Sequence, residues 1–282
     1  MSNTATITEV SEKAIPQTDE PIDLISKIHV IPRFSDKYAE RRWAKEHMAG
    51  AFRVLSKFGW NDGAGGHISL RDPVRPDCFW INPYSKHFGL ITVSDLILVT
   101  EDGAPITPTK YKVNTAGFMI HSALHKARPD VNAAVHTHSP YGRAWSTFGR
   151  PIEMLNQDCC YFYNDLSVYE GFGGVVIAKE EGEHIASCLG PTNKSIILQN
   201  HGILTAGGTV DEAVALFIAL EQACQSQLLV EAAAANGIPK RLVGDEEAKY
   251  TKEGAGKPEV LFMQFVPEYE MILKETNGDF LK

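Results

Sequence analysis

The chain has 282 residues, of which 44% are hydrophobic and 22% charged, and a formal net charge of −8. That length suits one large domain or two small ones, with a sizeable core, and the acidic balance argues against a nucleic-acid partner, which would call for a basic patch. Five cysteines, odd in number and without ligand-like spacing, read as free thiols in a reducing compartment. With no basic-plus-apolar leader pattern and no run approaching a membrane span, the expectation is a cytoplasmic protein without a membrane partner.

In chain order, residues 1–35 are polar with interspersed prolines and read as a loose arm. Lys37 to Phe58 carries Trp43, Met48, Phe52 and Leu55 at helical spacing, which predicts a long amphipathic helix ending at Gly59. A glycine-rich loop follows over 59–66, then "HISLR" and "CFWINP" as strands and "SDLILVTEDG" as a cap leading to a strand and a turn. Thr115 to Ala127 predicts a helix, "VNAAVHTHS" a strand, and "PYGRAWSTFG" a short helix with Pro140 near its first position. Residues 152–172 are aromatic and irregular. Beyond them "GGVVIA" reads as a strand, "EEGEHIASCLG" as a helix, "KSIILQNHGILTAGG" as two strands about a turn, and Asp211 to Ala235 as a long alanine-rich helix. The pattern predicts a single α/β domain over 36–240, with 241–282 as an extension packing on it or on a neighbouring subunit.

The chemistry gathers on histidines. On an extended strand His136 and His138 share a face, because the side-chain period is two. His201 stands in the same context, an apolar strand running into a turn. All three therefore fall at one end of a sheet, where open α/β folds place small-molecule sites. Three imidazoles with an open fourth position describe a catalytic metal site, and neutral imidazole suits zinc, iron, copper or nickel, with zinc as the first expectation and Fe(II) as the alternative. His121 and His125 share a helix face at i and i+4, but Ser122 stands where a zinc-helix glutamate would follow. His29, His47 and His184 read as surface residues.

Four motifs in order, "GAGGHISLR", "NTAGFMIHSALHKARPDVNA", "AAVHTHSP" and "LQNHGILTAGGTVDEA", resemble the class II aldolase/adducin family over about residues 40–235. The resemblance implies a three-layer α/β/α fold around a central, mostly antiparallel sheet, with His136, His138 and His201 as the metal-binding histidines. It also implies a divalent ion acting as Lewis acid on a small-molecule substrate's oxygens, and a homotetramer with sites at subunit borders and a mobile, partly apolar tail.

The departures from that pattern shape the functional reading. The family's sugar-phosphate aldolases carry a glutamate acid/base four residues before the histidine matched by His121, and here the position is Gly117. The phosphate loop also differs, with "NPYSKHFG" in place of a short Thr-Pro turn. Ser85, Lys86, His87, Thr115 and His67 are the candidate substrate contacts. Tyr161 and Tyr163 are the candidate catalytic phenols, and Asp158, Asp165 and Glu170 the nearest carboxylates able to replace the missing base. The first expectation is a metal-dependent lyase breaking a carbon–carbon bond in a small hydroxy-carbonyl or hydroxy-acid. The alternatives are an Fe(II)-dependent oxygenase on an aromatic keto acid and a non-catalytic adducin-like binding domain. The chain lacks adducin's basic tail and does not point to an actin or cytoskeletal partner.

Overall fold

The computed structural model describes residues 29–61, 63–171 and 179–282. The predicted arm before residue 29 and the predicted strand 173–178 lie outside the described residues. Strands β1 (His67–Arg71), β2 (Cys78–Ile81), β3 (Ile97–Thr100), β4 (Ala133–Thr137), β5 (Leu166–Tyr169), β6 (Ser195–Leu198) and β7 (Gly202–Gly207) form one sheet in the order β3-β2-β1-β4-β7-β6-β5. Every pairing is antiparallel except β5 with β6.

Alternation along these strands decides the layering. Ala133, Val135, Ile197, Ile203, Ile68 and Leu70 join the larger core, on the face covered by α1 (Lys37–Lys57), α3 (Pro140–Ser146), α5 (Val210–Ala235) and α7 (Pro258–Glu275). Ala134, Leu204, Ala206, Ile196 and Leu198 join a second core beneath α2 (Thr115–Ala127) and α4 (Lys179–Leu189). Apolar residues thus fill both faces of the central strands, giving the three-layer α/β/α arrangement. His67, Ser69 and His136 alternate with Ile68, Leu70 and Val135 and so face the α2 layer.

Local chemistry sets the helix ends that matter for the site. The Asn114 side chain accepts from the backbone N–H of Gly117 at 3.1 Å and starts α2 at Thr115. Pro140 sits in the first turn of α3, so that helix begins directly after His138 and Ser139.

The structure corrects three expectations. Helix α5 is long and apolar enough, by length and composition, to cross a membrane. It is the core helix instead: 56% of its most apolar window is buried inside the protein, and Glu221 and Gln227 are among its buried residues. The stretch 241–282 is folded, with α6 (Asp245–Ala255), α7 and a last turn (Asp279–Leu281) in place of a mobile tail. Leu261, Phe265, Ile272 and Phe280 insert into the main core. His47 is buried, not superficial: its Nδ1–H donates to Asp211 Oδ1 at 2.5 Å while its ring stacks on Tyr269.

Candidate metal centre

Two antiparallel neighbours bring the histidines together. In the β4–β7 register Thr137 lies opposite Ile203, so the chain leaving β4 and the turn entering β7 meet at one end of the sheet. His138 follows β4 directly. The β6–β7 turn carries His201 between Asn200 (φ 58°) and Gly202 (φ 152°), a backbone path open to asparagine and glycine but strained for most side chains. One ring nitrogen from each of His136, His138 and His201 lies within 4.8 Å of the others. The rings meet edge-on, with centroids 4.7 to 5.2 Å apart.

The donor set fits a metal ion. His136 Nδ1–H donates to the Ile203 carbonyl at 2.9 Å, which leaves Nε2 as the bare nitrogen. That Nε2 is buried and has no hydrogen-bond partner among the described residues, an arrangement that a coordinate bond would satisfy. Burial first, and then the neighbouring imidazoles, push His136 well below the ordinary histidine pKa. His201 is lowered to about 4 by burial and by His138. Neutral imidazoles are the form that binds metal.

A second tier of histidines sits on the α2 side. His67, opposite His136 in the β1–β4 register, is 3% exposed and pushed down to about 3 by burial, with smaller contributions from His201 and His138. Its ring centroid is 4.2 Å from His121 and 5.4 Å from His136, and neither of its nitrogens has a hydrogen-bond partner among the described residues. The space it fills is the space Gly117 leaves: a Cβ on Gly117 would stand 2.5 Å from His67 Cε1. Ser69 Oγ lies 2.7 Å from both His121 Nδ1 and His125 Nε2. His121 and His125 therefore do not join the three-nitrogen group. They back it through His67.

The remaining predicted residues are placed as follows. Lys86 pairs with Asp95 at 2.5 Å. His87 Nδ1 accepts from Gly89 N–H at 3.1 Å, and its Nε2 lies 2.8 Å from Asn61 Nδ2. Both are thus engaged, Lys86 with Asp95 and His87 with Gly89 and with Asn61 of the glycine-rich loop. Ser85 (φ 63°) and Thr115 are exposed. Tyr161 is packed into the main core, Tyr163 is half-buried, and neither shares a ring contact with the histidines among the described residues. Asp165 is held by the Lys194 backbone N–H and the Lys252 ammonium, so it does not serve as a free base. Asp158 and Glu170 are exposed.

Two supporting residues were not singled out in the sequence. Ser69 had a visible signal, since it shares a strand face with His67 at i and i+2. Glu221 had none. Its carboxylate reaches across from α5 to accept from Ser139 Oγ–H at 2.6 Å and from the N–H groups of Tyr141 (2.7 Å) and Gly142 (2.6 Å). It thereby anchors the segment that follows His138. Burial raises its pKa, and these donors oppose that shift.

Comparison with known proteins identifies the family. Residues 46–228 match the family model described as the class II aldolase and adducin N-terminal domain. The decarboxylase NovR of Streptomyces niveus is 39% identical over 244 residues, covering 86% of this chain and 88% of that protein. A 4-hydroxy-3-prenylphenylpyruvate oxygenase/4-hydroxy-3-prenylbenzoate synthase of Streptomyces roseochromogenus subsp. oscitans is 39% identical over 245 residues, 86% of each chain. The solved structure of an L-fuculose 1-phosphate aldolase from Glaciozyma antarctica superposes with a TM-score of 0.82 at 40% identity, covering 89% of this chain and 97% of that one. Class II aldolases typically depend on a divalent metal and act on small substrates. The chain belongs to the class II aldolase and adducin family.

Proposed function

We propose that the protein is a metal-dependent carbon–carbon lyase acting on a small 2-hydroxy acid or 2-hydroxy carbonyl compound, with His136, His138 and His201 as the metal ligands. The observation that carries this reading is the convergence of three imidazole nitrogens within 4.8 Å, one of them bare and buried. A zinc ion bound there would supply Lewis-acid stabilisation of negative charge developing on substrate oxygen.

Within the lyase class, decarboxylation suits the site better than aldol cleavage. Aldol cleavage starts by taking a proton from a hydroxyl, and the carboxylate that does this in the sugar-phosphate aldolases is replaced by Gly117. Loss of such a group costs roughly 10²–10⁴-fold. Decarboxylation starts without proton abstraction. In a 2-hydroxy acid that also carries a carbonyl at C3, the C1–C2 bond breaks, CO₂ leaves, the bond's electron pair passes into that carbonyl, and solvent water returns a proton to C2. His67, neutral and beside His136, forms the wall next to the reacting carbon. We assign no step to Tyr161 or Tyr163. We further infer a cytoplasmic homotetramer, which light scattering on the purified protein tests.

The test is anaerobic incubation of the zinc-loaded protein with small aliphatic and aromatic 2-hydroxy-3-oxo acids, reading CO₂ and the shortened hydroxy ketone. Release without O₂ supports the reading. A second reading, an Fe(II)-dependent oxygenase, is favoured by the oxygenase relative, and turnover that requires both iron and O₂ would replace the first with it. No turnover under either condition would leave a binding domain.

A further inference from the structure

Two cations on α1 share one indole. Arg41 and Lys45 stand one helical turn apart over the Trp80 ring, with the guanidinium carbon 5.9 Å and the Lys45 Nζ 3.9 Å from its centroid. Like charges at this spacing repel. The carboxylate that faces them, Asp72, is fully buried and already taken. Arg41 Nε donates to its Oδ1 at 2.8 Å and Arg41 Nη2 to its Oδ2 at 2.5 Å, and the Val74 N–H adds a third bond at 3.3 Å.

Lys45 is left over. It is half-buried, yet its Nζ is not sealed from solvent. No hydrogen bond or ion pair reaches that nitrogen among the described residues. The other half-buried lysines there each have a carboxylate: Lys86 has Asp95, Lys194 has Glu212, Lys240 has Glu153, and Lys252 has Asp165. Arg41 and Lys45 thus set two positive charges against the single negative charge of Asp72. Burial, and then the Arg41 guanidinium, lower the Lys45 pKa, and Asp72 opposes them. The indole face favours the ammonium, while its half-buried position beside a second cation disfavours it. An amide at the same place would keep the contact with the ring and carry no charge.

This cluster is separate from the histidines. Trp80 lies opposite Leu70 in the β1–β2 register, and both join the main core on the α1 face. His67 and His136 face the α2 layer.

We propose that Lys45, kept without a counter-ion by the Arg41–Asp72 ion pair, is a covalent modification site that takes the acyl group of a small acyl thioester. The lone pair of the neutral amine forms the N–C bond to the thioester carbonyl carbon. The C–S bond breaks, and the departing thiolate leaves as the thiol with the proton the amine gives up. The product amide lies over Trp80, and Arg41 and Asp72 remain as a balanced pair.

The test is competitive labelling of the folded protein with limiting S-acetyl-N-acetylcysteamine from neutral to alkaline pH, with peptide mass spectrometry comparing Lys45 with Lys249, whose side chain is 67% exposed. Lys45 is expected to be acetylated ahead of Lys249 at neutral pH, with the midpoint of its pH profile shifted to lower pH. Arg41→Met frees Asp72 to pair with Lys45, and the lead should be lost. Should that variant fail to fold, the wild-type pH profile decides alone. Lys249 labelled as fast as Lys45 at neutral pH, a Lys45 midpoint no lower than that of Lys249, or a lead that survives in folded Arg41→Met overturns the proposal. The readout needs no metal, so it stands or falls apart from the lyase reading.

Discussion

Gly117 and His67 occupy one volume between them: a Cβ on the glycine would stand 2.5 Å from Cε1 of the imidazole. The resemblance matches Gly117 to the position of the sugar-phosphate aldolases' glutamate, and a ring from the neighbouring strand stands against it. The two residues are 50 positions apart in sequence and belong to different layers, yet neither can change alone without cost.

That relationship predicts a coupling. Gly117→Ala should destabilise the protein although alanine is the better helix former by about 1 kcal/mol, because overpacking a fitted site costs typically about 1–3 kcal/mol. In the His67→Ala background the same substitution should become neutral or stabilising. Urea unfolding of the two single variants and the double variant measures the coupling, and additive effects would refute it.

Acid should destabilise the protein through the buried histidines. Their pKa values are lowered in the folded state, to about 3 for His67 and His125 and about 4 for His201. Above the unfolded value, near 6.5, both states are neutral and stability is independent of these groups. As pH falls below it, the unfolded chain takes up protons that the folded chain does not, so stability falls until the folded values are reached. Each histidine contributes up to about 1.4 kcal/mol per pH unit over that window. Chemical denaturation between pH 7 and pH 4 should show the loss, and His125→Asn should reduce its slope.

Glu221→Ala should cost stability and metal affinity together. It removes the acceptor for Ser139, Tyr141 and Gly142, all behind His138. Buried donors left unpaired cost about 1–3 kcal/mol. Thermal unfolding and zinc titration of the variant check both effects. Unchanged zinc affinity would show that the clamp does not position His138.

Much of this was legible before the structure. The period of two placed His136 and His138 on one face, and the matching context of His201 brought it to the same sheet end, because strand and turn chemistry are local. The positions of α1, α2 and α5 followed from equally local signals, such as the helical spacing of Trp43, Met48, Phe52 and Leu55. Two kinds of feature were not legible. His47 is polar and sits on a helix that looks amphipathic, and the partners that accommodate its burial, Asp211 and Tyr269, are distant in sequence. Helix α7 has a mixed pattern, since its apolar residues insert among α1 and α5, and α6 buries little, packing against the turn at Asp158–Phe162. Long-range polar partners such as Glu221 with Ser139 leave no trace in spacing. Tyr161, by contrast, is a candidate catalytic phenol in the sequence and packs into the main core, the commoner place of a buried aromatic.

The central claim is that His136, His138 and His201 hold one metal ion. Elemental analysis of protein purified without added metal, beside a His136→Ala/His138→Ala variant, tests it most directly. The account predicts about one transition-metal ion per chain, lost in the variant, with zinc favouring the lyase and iron the oxygenase. No metal in the wild type, even after incubation with zinc and with iron, would contradict it and leave the three histidines as a buried cluster in a binding domain.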